Sequence, residues 1–198
     1  MKKIVSGNVM VNGYPLQLGP GKAHRGHYLE ILQAAADQLD AMLSHHSKVL
    51  VFRIDFHLHA ATADNAPMSG FVRRFRKKLS RRDFKRLGFI WCREHNTGNA
   101  QHYHATFIVD GNKCRHPHNL IKLIQYEWEW RELGRVYVPA NCYYLVRRDA
   151  PYSAKRALAR MSYLAKVDTK QQRSASTNDY SASRLRHRLL PAKHAGAY

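Results

Sequence analysis

The chain has 198 residues, 44% of them hydrophobic and 11% aromatic, which suits one compact domain with tails and excludes a wholly disordered arm. Its 33 Lys and Arg against 14 Asp and Glu give a formal net charge of +19. Such a field attracts polyanions, and no stretch is long and apolar enough to insert into a membrane, so nucleic acid is the expected partner.

The first half of the chain is predicted to contain an arm, two helices and a strand. Gly, Asn and Pro are frequent in residues 1–25, which predicts an irregular arm. Apolar residues at helical spacing predict a helix over 27–44, and the apolar run of 48–59 predicts a strand. After a loop at 62–67, a second apolar stripe predicts a helix within 71–86.

The second half of the chain alternates strands and helices. Its predicted elements are strands at 87–94 and 101–109 joined by a turn at 95–100, a helix at 120–133, a mixed strand region at 135–146, a helix from about 151 to 166, and an extended tail at 168–198. This order predicts an α+β domain with helices on one side of a mainly antiparallel sheet. It divides the chain into an N-terminal arm and helix (1–47), a core (48–167) and a basic tail (168–198).

A pair of histidines in the predicted strand 101–109 is a candidate metal site. His102 and His104 are two residues apart, so both side chains leave the same face of a strand. If the preceding strand forms a hairpin with this one, Glu94 lies near His102 and supplies an oxygen ligand. Such triplets also arise by chance, and His57 and His59 form a second one. Whether His57 or His59 neighbours the metal stays open.

Tyr163 is a candidate nucleophile on the last predicted helix. On a helical wheel it lies opposite the apolar stripe, flanked by Arg156 and Arg160, with Lys166 one turn further on. These cations would favour a phenolate and stabilise charge on a phosphate. The alternative is an exposed tyrosine that stacks on a base of bound DNA.

The predicted helix at 71–86 carries nine basic residues against one acid. A charged run is usually a solvated face, but self-repulsion makes solubility alone a weak explanation here. We therefore expect this helix to bind DNA phosphates, with the salt dependence that follows. The expected contacts are Arg73, Arg74, Arg76, Lys77, Lys78, Arg81 and Arg82, together with Arg156 and Arg160 of the tyrosine helix.

Three motifs in a fixed order resemble the HUH endonuclease superfamily of rolling-circle replication initiators, relaxases and related transposases. They are the strand VFRIDFHL, the histidine strand HYHATFIVD and the helix motif YLAK. More narrowly, IWCRE, HYH and SYLAKVDTK resemble the YagK/YfjJ-type domain found in replication proteins of filamentous phages and prophages. The resemblance covers about residues 49–170.

This resemblance implies an HUH, ferredoxin-like variant fold with a metal-dependent active site. His102 and His104 would hold Mg²⁺ or Mn²⁺ with Glu94 as the third ligand, Tyr163 would attack the scissile phosphate, and Lys166 would assist. The products would be a 5′-phosphotyrosine link and a free 3′-hydroxyl. One departure from the family pattern is the aromatic residue between the histidines, and another is the lack of a second tyrosine placed like Tyr163.

The expected function is therefore single-stranded DNA nicking and joining that initiates rolling-circle replication of a phage, prophage or plasmid. The alternatives are a single-tyrosine transposase or relaxase, a non-catalytic nucleic-acid-binding protein, and a histidine phosphodiesterase that uses metal-bound water. The expected partners are single-stranded DNA or an origin hairpin, with a host helicase and polymerase. Three scattered cysteines and the lack of an apolar run after Lys2 and Lys3 favour the bacterial cytoplasm.

Overall fold

The computed structural model describes residues 3–19, 25–95, 101–167 and 178–188. Within these ranges the helices are α1 (Leu29–His45), α2 (Ala66–Ser80), α3 (His118–Glu129) and α4 (Pro151–Met161), and a 3-10 turn at Ser162–Ala165 follows α4. The strands are β1 (Ile4–Val5), β2 (Gly7–Val11), β3 (Tyr14–Leu18), β4 (His27–Tyr28), β5 (Lys48–Leu58), β6 (Gly88–His95), β7 (Gln101–Asp110), β8 (Gly134–Tyr137), β9 (Tyr143–Arg147) and β10 (Tyr180–Ala182). None of the described helices combines the length and the apolar character needed to cross a membrane.

The main sheet has the strand order β10-β6-β7-β5-β8, and β9 pairs with β5 beside β8. Every pairing is antiparallel. Strand β5 is 11 residues long, so one of its edges pairs with β7 along most of its length while β8 and β9 share the other. The prediction of an α+β fold with a mainly antiparallel sheet is confirmed.

Helices cover both faces of this sheet. One face packs on α1 and α4, and the other packs on α2 and α3 through rings such as Phe75 against Phe107 (5.3 Å between centroids) and Trp128 against Phe56 (4.7 Å). The prediction that the helices lie on one side is wrong. Strand β5 carries buried apolar side chains on both faces, Val51 on one and Phe52 on the other, so helices must pack against each face of the sheet.

Residues 3–19 contain three strands, so the prediction of an irregular arm is wrong for this part of residues 1–25. Strands β2 and β3 form a hairpin around Asn12 and Gly13, both of which have a positive φ (48° and 79°). An Asn-Gly pair suits the two-residue turn that joins twisted antiparallel strands. The hairpin buries Val11 and Leu16 in the core that contains α1.

Part of the predicted C-terminal tail belongs to the sheet. Strand β10 pairs with β6 at its outer edge, and the Arg93 N–H donates to the carbonyl of Asp179 at 2.8 Å. The tail prediction is therefore wrong for this strand. Residues 168–177 and 189–198 of the predicted tail, and the predicted turn around Gly98, lie outside the described residues.

Candidate functional site

Three central strands present polar side chains on the face of the sheet that packs on α1 and α4. Strand β7 lies between β5 and β6, and its His102 is directly opposite Glu94 of β6 and His57 of β5. His104 is opposite Asp55. Facing residues in a sheet project to the same side, so these groups converge. The predicted placement of Glu94 beside His102 is confirmed.

Glu94, His102 and His104 form a buried group that could hold a metal ion. The Oε2 atom of Glu94 lies 3.0 Å from Nε2 of His104 and 3.5 Å from Nε2 of His102, and the ligand atoms of all three residues lie within 4.8 Å of one another. Adjacent ligands at ~2.1 Å from an octahedral ion are separated by about 3.0 Å, so the donor spacing fits a divalent cation. Side-chain exposure is at most 7% for each residue, so the group is shielded from solvent.

Asp55 and Arg53 orient His104 from the side away from Glu94. The Nδ1 atom of His104 lies 2.8 Å from Oδ1 of Asp55, and Arg53 donates two hydrogen bonds of 2.9 Å to the Asp55 carboxylate. Arg53 Nη2 also lies 3.0 Å from Nδ1, but a carboxylate at 2.8 Å favours a proton on Nδ1 that His104 donates to Asp55. Nε2 then faces Glu94 and is the ring nitrogen available to a metal ion, whereas in the charged imidazolium it donates to Glu94.

The ionisation of His104 and Asp55 follows from the same contacts. Burial opposes a charge on His104, but its hydrogen bonds with Asp55 and Glu94 outweigh burial and raise the pKa of the imidazole. Burial likewise opposes a charge on Asp55, but hydrogen bonds with His104 and Arg53 hold its pKa below the usual value. Asp55 is therefore an anion beside His104 at neutral pH.

Tyr163 lies against this group. Its ring is perpendicular to that of His104, with 5.2 Å between the centroids. The guanidinium carbon of Arg53 lies 3.9 Å from the centre of the tyrosine ring, and Nζ of Lys166 lies 4.5 Å from it. The fold thus brings Tyr163 and Lys166, far along the chain, to the histidine pair.

The segment that carries Tyr163 differs from the prediction of one helix through Lys166. Helix α4 ends at Met161 and a 3-10 turn follows. Lys166 then forms a bridge with His27, and the Val167 N–H donates to the carbonyl of Gly26 at 3.1 Å. These contacts with the β4 segment draw the chain away from the helical path.

The arginines expected to flank Tyr163 contact other groups. Arg160 donates to the carbonyl of Ala140 at 2.9 Å, and the guanidinium of Arg156 lies 5.7 Å from the ring centre of Tyr144. Arg53 supplies the cation over Tyr163 instead. Sequence reasoning missed Arg53 and Asp55.

The structure also settles which second histidine is near the group. His57 stacks on His102, with 5.3 Å between the ring centroids and 14° between the planes. Burial and the neighbouring His102 lower the pKa of His57. His59 lies beyond the end of β5 and is exposed. His57 is therefore the neighbour of the candidate metal ligands.

The basic helix α2 packs on the other face of the sheet. Its buried Phe71 and Phe75 belong to the core that also contains Tyr103 and Phe107, which alternate with the site histidines along β7. The predicted DNA-binding side chains of this segment are therefore separated from Glu94 by the sheet. They are Arg73, Arg74, Arg76, Lys77, Lys78, Arg81 and Arg82.

Comparison with known proteins gives one match. Neither a curated protein nor a solved structure matches the chain. Residues 20–178, which include all the residues of the site from Arg53 to Lys166, match the YagK/YfjJ C-terminal domain, and the chain belongs to that family.

Proposed function

We propose that this protein nicks and rejoins single-stranded DNA through a 5′-phosphotyrosine intermediate and so initiates rolling-circle replication of a phage, prophage or plasmid. The observation that carries the proposal is the position of Tyr163, edge-on to His104 of the buried Glu94, His102 and His104 group. A metal group that only supported the fold would not need a partly exposed tyrosine and two cations beside it. A base-stacking tyrosine would not need the metal ligands.

The proposed metal is Mg²⁺ or Mn²⁺, held by Glu94, His102 and His104. Two imidazoles and one carboxylate leave coordination positions open, and the proton that His104 donates to Asp55 fixes Nε2 as the ligand atom. A divalent cation bound here would act as a Lewis acid on a phosphate oxygen and make the phosphorus more electrophilic.

Tyr163 is the proposed nucleophile. A tyrosine hydroxyl is a weak nucleophile at neutral pH, so its attack gains from positive charge nearby. Arg53 and Lys166 provide that charge at the tyrosine ring. The phenolic oxygen loses its proton and bonds to phosphorus, the bond from phosphorus to the 3′-oxygen breaks, and that oxygen takes up a proton to become a free hydroxyl. Attack by the hydroxyl on the phosphotyrosine reverses these steps and rejoins the strand.

One tyrosine supports one transfer step at a time. Tyr152, at the start of α4, is 71% exposed and ten residues from the 3-10 turn, so it is not placed as a second nucleophile. A second transfer then requires another protein molecule or water. A transposase or relaxase would use the same chemistry on a different DNA, and a helicase and polymerase of the bacterial host are the proposed partners in replication.

The decisive experiment looks for a covalent protein–DNA adduct. Wild-type protein is mixed with single-stranded origin DNA and Mn²⁺, denatured, and resolved by electrophoresis. We expect an adduct with the wild type, none with Tyr163→Phe, and an undiminished amount with Tyr152→Phe, which alters an exposed tyrosine outside the site. An adduct formed by Tyr163→Phe would show that another residue is the nucleophile.

The metal role is tested with the same assay. His104→Ala is expected to retain DNA binding and lose the adduct, because the proposed ligand contributes to the reaction and not to the basic surface. Cleavage that survives in His104→Ala would remove the metal from the proposal. Salt-sensitive DNA binding by the wild type with no adduct on any candidate origin would instead identify a non-catalytic binding protein.

A further inference from the structure

A groove runs between α2 and α3 on the face of the sheet away from Glu94. Its volume is about 330 Å³, which is at the small end of the range for ligand pockets. A space of this size suits one or two flat rings rather than a helix or a folded domain. The residues that line it are Arg74, Lys77, Lys78, Arg81, Tyr126, Glu127, Trp130 and Arg131.

Two large aromatic side chains on α3 and just beyond its end form one wall of the groove. Tyr126 is 55% exposed and Trp130 is 65% exposed. Their rings are nearly parallel, with 14° between the planes and 6.0 Å between the centroids. Each residue leaves more than half of its surface exposed, so it contributes less to stability than a buried ring does. A flat ligand that stacks on Trp130 would bury that surface.

The other wall is strongly positive. Lys77 on α2 and Arg81 just after its end are exposed and one helical turn apart. Arg131 adds a cation on the aromatic side, with its guanidinium 5.5 Å from the Trp130 ring centre. The lone acid of the lining, Glu127, is buried and compensated by Lys78, whose Nζ lies 2.5 Å from its carboxylate. The charge left for a ligand is therefore positive.

Arg74 adds a polar feature inside the groove. Its Nε atom is buried and donates no hydrogen bond, and the nearest carboxylate oxygen of Glu127 is 3.8 Å away. A buried donor without an acceptor costs free energy. Arg74 therefore adds positive charge beneath the groove, next to Glu127.

We propose that this groove is a second binding site for single-stranded nucleic acid, in which an unpaired base stacks on Trp130 and Tyr126 while Lys77, Arg81 and Arg131 bind the adjoining phosphates. Aromatic platforms with neighbouring cations bind unpaired strands because every base has a stacking face. A duplex hides these faces, so it gains only the charge contacts. The groove shares its type of ligand with the proposed nicking site, but none of its residues.

The sheet separates the two sites. Phe107 of β7 packs against Phe75 of α2, whereas His104 of the same strand projects to the opposite face. The groove therefore holds DNA away from the reacting phosphate. Its role is to retain or guide the DNA strand. A variant that loses binding in the groove can therefore be distinguished from one that loses the nicking reaction.

The test measures the affinity of the full-length protein for a fluorescein-labelled oligothymidylate of about a dozen nucleotides by anisotropy. We expect Trp130→Ala to weaken binding roughly 5- to 150-fold, the range measured for loss of one stacked base. Tyr152→Ala removes another exposed aromatic residue, at the start of α4 and outside the groove, and should change affinity little. Arg81→Glu should weaken binding far more than Lys122→Glu, which makes the same charge change on α3 outside the groove.

Intrinsic fluorescence gives a second readout in the wild type. Of the three tryptophans, Trp91 and Trp128 are buried, so quenching by an unlabelled oligonucleotide reports on Trp130. Equal affinity for a blunt hairpin, or unchanged affinity in Trp130→Ala, would overturn the proposal. Quenching by anionic vesicles but not by the oligonucleotide would also overturn it and would identify a membrane-facing surface. An adduct assay on the wild type tests nicking separately, because it depends on Tyr163 and not on the groove.

Discussion

Arg53 connects the candidate metal ligands with Tyr163. It holds the Asp55 carboxylate, which fixes the orientation of His104, and it lies over the ring of Tyr163. One buried guanidinium thus contacts both the support of a proposed metal ligand and the proposed nucleophile. Arginine suits this position because its planar fork can pair with a carboxylate and stack on a ring simultaneously.

Arg53→Lys is predicted to slow adduct formation about tenfold while the protein stays folded. Lysine keeps a positive charge for the buried Asp55 but cannot form the paired hydrogen bonds or stack flat on Tyr163. The measurement is a single-turnover rate with saturating Mn²⁺. Lys113→Arg is the control, since it exchanges the two basic residue types at a partly exposed pair with Asp83. An unchanged rate in Arg53→Lys would mean that the stacking on Tyr163 has no role in the reaction.

The sequence predicts the candidate metal ligands and the candidate nucleophile but not the residues that orient them. His102, His104, Glu94 and Tyr163 follow from spacing, hairpin geometry and family resemblance. Arg53 and Asp55 lie within the VFRIDFHL strand, but the resemblance assigned them no role, and the apolar residues of that strand dominate its pattern. The available signal was the alternation of polar residues 53, 55 and 57, which predicts one polar face on an otherwise buried strand.

At the scale of elements, strand β10 extends the sheet beside the strand that carries Glu94. Ser183, just after β10, donates to Oε1 of Gln38 at 2.5 Å and accepts from the Phe89 N–H at 3.0 Å. Both Ser183 and Gln38 are buried. These contacts fasten the β10 segment to α1 and β6.

Ser183→Ala is predicted to lower the free energy of unfolding by about 1–3 kcal/mol, because it leaves the buried Phe89 N–H without its hydroxyl acceptor and deprives Gln38 of a donor. The measurement is the midpoint and slope of urea unfolding. Ser80→Ala, at the exposed end of α2, should change stability by less than about 0.5 kcal/mol. If Ser183→Ala lowers the free energy of unfolding no more than Ser80→Ala does, the hydrogen bonds of Ser183 do not hold β10 in place.

Elements with a strong hydrophobic period were predictable, and those fixed by distant partners were not. Helix α1 and strands β5 and β7 agree with their predicted ranges within a few residues. Strand β10 is short and polar, and it becomes a strand through pairing with β6, which lies about ninety residues earlier. The hairpin of β2 and β3 had a local signal in Asn12 and Gly13, but the frequency of turn-forming residues in 1–25 obscured it.

At the scale of the molecule, the sheet separates the candidate metal site from the basic groove. One face holds buried acids and histidines beside a tyrosine, and the other carries the basic and aromatic groove. A nucleic-acid strand that occupies both has to pass around an edge of the sheet. The net charge of +19 favours such wrapping, because phosphates along the path release counterions wherever they meet lysine or arginine.

Metal binding at the buried group should stabilise the whole fold, because the three ligands come from two strands that are brought together only in the folded state. At a Mn²⁺ concentration about 100 times the dissociation constant, the expected gain is about 2.7 kcal/mol, or roughly 5–10 °C in the thermal midpoint for a chain of this size. The measurement is a thermal unfolding series across Mn²⁺ concentrations.

Glu94→Gln should abolish most of this shift, because an amide oxygen is a far weaker ligand than a carboxylate while the side chain keeps its shape. His118→Ala is the matched control, since it removes an exposed histidine at the start of α3 and should retain the full shift. A chain with 13 histidines can also bind Mn²⁺ when unfolded, which reduces the shift in all variants alike. The difference between Glu94→Gln and His118→Ala therefore isolates the buried group, and an equal shift in the two would place the metal elsewhere.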